Sequence, residues 1–237
     1  MEIPVVRLVS LGTYAVVIVW SIAAALKSRR EIILLFLLWT LSMALRTGVE
    51  LGYHLSRTYD QAVVWWHLDF FWTFSLGLWL HFIIVYTNML RGKTATPVET
   101  TLIAAAYVSV AAFLAIELFT DWITAPPVRD VIGFKHQVNT HSAAAPVVFI
   151  WIIAFSLFSL WRIIQALIIA DRKEIGTRVR LGVVAAVMAV SFVCEIILPL
   201  AGFENVEILN ILSAIIAVTL ALGFRRSRAR FSSAGLS

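Results

Sequence analysis

The sequence predicts an all-α membrane protein, a seven-transmembrane helix bundle with its N-terminus outside and its C-terminus in the cytoplasm. Three observations predict it. Of 237 residues, 61% are hydrophobic and only 14% charged, with a mean hydropathy of +0.91; a soluble domain carries about 25% charge. Seven apolar stretches are long enough to span a hydrocarbon core, which takes about 20 helical residues. Thirteen Lys and Arg fall on one set of connectors and the C-terminal tail, against four on the other set, a positive-inside asymmetry.

The spans read at about 3–26, 32–55, 62–90, 97–120, 144–170, 178–201 and 206–224. Only helices satisfy every backbone group in lipid over such continuous runs, and barrel strands would alternate instead. The first stretch is too long, and too poor in basic leader, for a cleaved signal. Connectors 27–31, 91–96 and 171–180 carry Lys27, Arg29, Arg30, Arg91, Lys93, Arg172, Lys173, Arg178 and Arg180. Those charges set topology and meet anionic lipid at a plasma (inner) membrane, so the net charge of +5 calls for no nucleic acid. Residues 1–225 form one transmembrane domain, and 226–237 a cytoplasmic tail expected to be disordered. The outer loop 121–143 is long enough to be functional. Within it "VRDVIGFKHQV" is expected to make a small hairpin turning near Gly133, a lid over the outer mouth. Cys194, alone inside the sixth span, indicates no redox compartment.

Charge inside the spans is the main clue to function. Arg46, Glu50 and His54 recur every four residues along the second span, one polar stripe on a helix. His67 and Asp69 lie in the outer third of the third span, Glu195 near the outer end of the sixth, and Glu207 and Asn210 open the seventh. Each Arg, Asp or Glu near a helix centre costs about 2.5–3.5 kcal/mol on the insertion scale, so these groups face protein or water. Two readings stay open. Arg46 and Glu50 form an i,i+4 pair that can lock the bundle. Alternatively, Arg46, Glu50, His54, His67, Asp69, Trp72 and Glu195 form an outer-half polar pocket that binds a ligand or senses protons. Glu50, Asp69 and Glu195 outnumber Arg46, so a bound cation, a protonated carboxylate or water completes the balance. His67 and Asp69 sit about 200° apart on a helix, so only one faces the pocket. Trp65, Trp66, Trp72 and Tyr53 make either an interfacial belt or an aromatic wall suited to an amine. Arg162 is expected to snorkel to the cytoplasmic face.

Several chemistries fail on residue inventory. No H-x-x-x-H or H-E-x-x-H supports a zinc hydrolase, and no nucleophile–base pair supports another enzyme. Every lysine lies in a loop or at a span end, which excludes a retinal Schiff base. A transporter would show broken helices and repeated halves, and neither is visible. Haem or a metal held by His54 and His67 stays open as an alternative, but no cofactor is expected.

Four stretches give a family resemblance: Trp39 in the second span, Ala62 to Trp66 at the start of the third, Leu80-His81-Phe82 near its inner end, and "GTRVRLGVVAA" over 176–186. With the basic exit after the seventh span, the chain resembles the N-terminal seven-transmembrane sensor region of histidine kinases and related prokaryotic signalling proteins. That resemblance implies a receptor for an outer-side signal that acts on a cytoplasmic signalling domain or protein. Since the sequence stops at Ser237, the output is expected from a longer protein or a separate partner. Other expected partners are lipid, a small ligand or proton, and a second copy in a homodimer. The competing expectation is an accessory structural subunit of a larger membrane complex.

Overall fold

The structure is a computed structural model describing residues 2–28, 30–130, 133–139, 141–170, 174–197 and 209–233. Helix α1 spans Glu2–Ser28, α2 Glu31–Leu55, α3 Tyr59–Trp66, α4 Phe71–Leu90 and α5 Pro97–Phe119. Strands β1 (Thr124–Asp130) and β2 (Gly133–Val138) form an antiparallel hairpin. Helix α6 covers Ala144–Ile169 and α7 covers Ile175–Phe192, which passes into a π-helical turn, Val193–Ile197. Helix α8 runs over Leu209–Ser233. Among the described residues six segments are long and apolar enough to cross a membrane, with α3 and α4 counted together, and Leu209–Phe224 is a shorter apolar one. The chain therefore builds a helical, multi-pass membrane bundle.

Local chemistry sets several boundaries. Thr96 and Glu99 close a capping box ahead of Pro97, which stands in the first turn of α5. Thr58 caps α3 by accepting from the Gln61 amide. Helix α8 is described as far as Ser233.

Contacts close a ring in the order α1, α2, α4, α6, α7, α8, while α5 packs outside it against α4. On α1 the buried face is Arg7, Ser10, Tyr14, Val17, Ser21 and Ala24, spaced alternately by three and four residues as one helical stripe demands. Its opposite face, with Val9, Val16, Val19 and Leu26 exposed, meets lipid. The core of the ring is aromatic: Phe36, Trp39, Trp79, Phe82 and Phe224 pack around one another. Leu80 and Phe82 are buried, whereas His81 turns to the Tyr107 hydroxyl on α5, 3.0 Å away.

Two spans read as single helices are interrupted. The third changes from α3 to α4 through residues 67–70, where Leu68, Asp69 and Trp72 amides bond three residues back at 3.0, 3.1 and 3.3 Å. This is 3₁₀-like tightening, which rotates the following side chains relative to an ideal α-helix. In the sixth, α7 passes into the π-helical turn Val193–Ile197, the last of its described residues.

The hairpin forms where the sequence indicates and seats on the ends of α2 and α3. Gly133 has φ +82° and lies against the His54 carbonyl, where a Cβ would clash. Phe134 packs with Val49, Tyr53 and Ala62. Gly52 likewise leaves room for the Trp65 indole across α2. Gly133→Ala is therefore expected to cost about 1–3 kcal/mol and to expose the hairpin. A lowered melting temperature together with faster proteolysis between β1 and β2 would register it.

Candidate functional site

Glu50 anchors a buried network that joins three helices. Its carboxylate accepts from Arg46 Nε at 3.1 Å and Arg7 Nε at 3.4 Å, and from the Asn210 side-chain amide. Thr47 donates to Asn210 Oδ1 at 2.8 Å, and the Tyr14 hydroxyl donates to the Asn210 carbonyl at 3.1 Å. Arg7 Nη1 also reaches His54 Nδ1 at 2.9 Å. The same Nδ1 lies 2.9 Å from the Glu50 carbonyl; it accepts from the guanidinium or donates to the carbonyl according to the tautomer, not both. One oxygen-rich point therefore ties α1, α2 and α8 together.

Beside it lies a cavity of about 410 Å³ within the hairpin half of the ring. Arg46 and Asp69 supply its charge. Trp39, Trp72 and Trp79 supply aromatic surface, and Ile152, Leu160 and Ile216 close its apolar sides. Ile123 and Thr124, at the root of the hairpin, line it too. Asp69 is 5% exposed and lies within electrostatic reach of Tyr53 and Glu117. Glu117 Oε1 accepts from Trp72 Nε1 at 3.1 Å and from the Thr124 hydroxyl, so α5, α4 and β1 meet at that carboxylate. Ile196 puts the π-helical turn on the wall as well; such turns are frequent at functional sites.

The candidate residues divide into groups. Arg46, Asp69 and Trp72 face the cavity, and Glu50 and His54 stand behind Arg46 in the network. His67 is exposed, with Nδ1 2.8 Å from the Val63 carbonyl of its own helix and its ring edge-on to Trp66. It belongs to neither group. The backbone of Glu195 lies in the π-helical turn, while its side chain, like the whole of Glu207, falls outside the described residues. Among the described residues no three His, Cys, Asp or Glu converge as a metal site, and His54 and His67 have separate partners.

Arg7 is the residue that sequence reading misses. Counted with the loop charges, it is instead 3% exposed and a second guanidinium on Glu50. The signal was present: Arg7 is in register with Ser10, Tyr14, Val17 and Ser21 on the packing face of α1. Arg162 needs a correction too. Rather than snorkelling, it is 5% exposed and pairs with Glu99 at 2.7 Å. It also donates to Thr87 Oγ1 at 2.9 Å and Asn88 Oδ1 at 2.7 Å. Asn88 in turn donates to Glu99 at 2.9 Å. At the end away from the hairpin, this second network fastens α4, α5 and α6.

No protein-family model matches the chain, and no curated protein matches it. Its chemistry is therefore read from these contacts. Glu50→Ala leaves Arg7 and Arg46 facing each other and is expected to cost about 3–5 kcal/mol, as for other broken buried pairs. Equilibrium unfolding in mixed micelles would measure it, and Arg7→Leu combined with Glu50→Leu is expected to recover part of the loss.

Proposed function

We propose that this chain is a seven-transmembrane receptor or sensor module, in which a small ligand or a proton from the outer side acts on the hairpin-half cavity. In this reading the hairpin end and the N-terminus face outward. The C-terminus lies in the cytoplasm of a prokaryotic cell, where α8 leads to an output domain or partner protein. One observation carries the reading: an unbroken polar chain from cavity to last helix. Arg46 lines the cavity, Glu50 holds Arg46, and Asn210 of α8 holds Glu50. A change of charge at the cavity wall alters the pairing of Glu50, and with it the seating of the first turn of α8. The likeness to kinase sensor regions and the basic exit of α8 support the same direction of signalling.

A buried ion pair is weak support for stability, whereas a two-state element responds to any ligand with unequal affinity for its states. Arg46 is suited to that role because it is half-buried against the cavity, whereas Arg7 is sealed.

Two measurements test this. Native mass spectrometry of protein in nanodiscs is expected to reveal a bound small molecule that Asp69→Asn releases. A stoichiometric companion protein in place of a small molecule would instead establish the accessory-subunit reading. For orientation, single cysteines in a Cys194→Ala background are expected to label from opposite sides: Arg129→Cys from outside and Lys93→Cys only after permeabilisation.

A further inference from the structure

Resting on the ligand-binding reading of the cavity, we infer that its ligand is a membrane-dissolved apolar molecule. It enters sideways from the outer leaflet, through a seam between the hairpin-side halves of α6 and α7.

The seam follows from one stripe on each helix. On α6, residues 149, 152, 156, 160, 163 and 167 are spaced by three or four, so they share one face. On α7 the series is 181, 184, 188, 192 and 196. Counted outward from the connector between Ile169 and Ile175, Ile163 and Leu181 fall at one depth. Ser156 and Met188 fall at a second, and Ile152 and Phe192 at a third. In the inner half the two stripes close. Ile163, Leu181 and Val184 are 0% exposed and belong to one core cluster. In the hairpin-side half they part. Ile152, Ser156, Leu160, Met188 and Phe192 are only half-buried, and they line the cavity.

The neighbours of each helix show why. The outer half of α6 takes other partners: Val148, Trp151 and Ile152 pack with Phe113 of α5 and Ile123 at the hairpin root. This leaves Ile153 and Leu157 on the edge away from α5. On α7, Arg180 lies against Gly223 of α8. Phe192, Ile196 and the exposed Ala189 therefore sit on the opposite edge, toward α6. Ser191 returns its hydroxyl to its own helix, at the Val187 carbonyl 3.0 Å away. Among the described residues no hydrogen bond joins α6 to α7 at this depth. Only the lipid-facing Leu157 and Ala189 stand at the lips.

The class of ligand follows from the walls. On α6 the stretch "FIWIIAFSLFSL", residues 149–160, holds no ionisable side chain, and Met188, Phe192 and Ile196 face it from α7. An apolar molecule is already concentrated at this entrance, because each methylene favours the bilayer over water about fourfold. Inside, the indoles of Trp39 and Trp79 offer flat surface for its chain or ring. The cavity, about 410 Å³, has the size of a small-molecule site.

The test uses trifluoromethylphenyl diazirine, a photoreactive apolar probe, dissolved in nanodiscs that hold the whole protein, with peptide mass spectrometry to locate adducts. Trp39 and Trp79 are 3% and 8% exposed and lie on the cavity wall, so adducts there arise inside the ring. They are expected to saturate with probe and to be competed away by excess trifluoromethylbenzene. Adducts at the lipid-facing Ile150 and Val190 are expected to rise in proportion to dose. Ser156→Trp plugs the seam, and Ala189→Trp narrows it from the lipid side while changing only an exposed position. Both are expected to abolish the adducts at Trp39 and Trp79 and keep those at Ile150 and Val190. The inference is overturned if Trp39 and Trp79 carry no adducts, or unsaturable ones, in the unaltered protein. It is equally overturned if the adducts persist in both variants, which would put the entrance at the hairpin end. Each of these results leaves the receptor reading standing; that reading falls separately, with the native mass spectrum.

Discussion

A carboxylate placed well inside an apolar helix is the constraint around which this bundle is arranged. Glu50 cannot be left to lipid, where an unpaired charge costs several kcal/mol, and α2 alone offers it only Arg46. The other donors come from α1 and α8, through Arg7 and Asn210. Helices far apart in sequence are thereby brought to one point. In a bilayer, where apolar packing alone discriminates poorly between neighbours, such polar contacts choose which helices meet and in what register. At the other end of the ring the Arg162–Glu99 pair does the same for α4, α5 and α6.

The cavity lies between these two fastenings, and its position follows from irregular backbone. Tightened turns at 67–70 aim Asp69 and Trp72 inward. The π-helical turn brings Ile196 to the wall from α7. The hairpin root adds Ile123 and Thr124 from above. Three local departures from regular helix thus contribute to the cavity wall. Non-helical backbone at membrane depth is tolerated where it lines such a cavity or is buried in protein.

Hydropathy made most of the fold legible. The second, fourth and fifth spans match α2, α5 and α6 almost to the residue, and the turn at Gly133 was visible because a glycine follows a short apolar run between polar flanks. The interruptions were hidden. "HLDF" is as helical in composition as its neighbours, and the packing of Trp65 over Gly52 and of the hairpin against α3, both beside the break, depends on tertiary contacts that composition does not show. Arg46, Glu50 and Asp69 are conspicuous in the sequence as charges inside apolar runs. Arg7 is not, since near a chain end the same residue type reads as a topology signal. Arg162 failed for a similar reason: a long side chain near a span end can always be imagined reaching water, and its pairing with Glu99 depends on a helix whose placement no periodicity gives.

Helix α5 stands outside the ring, yet it is pinned at both ends. Glu99 meets Asn88 on α4, and Glu117 meets Trp72 on α4. Those two attachments are about 24 Å apart along α4 and about 27 Å apart along α5. The pair therefore behaves as a splinted beam: neither helix slides along the other without tearing a polar joint, and a one-turn ratchet of about 5.4 Å would break both. Helices α4 and α5 are thereby held to tilt or roll as one unit.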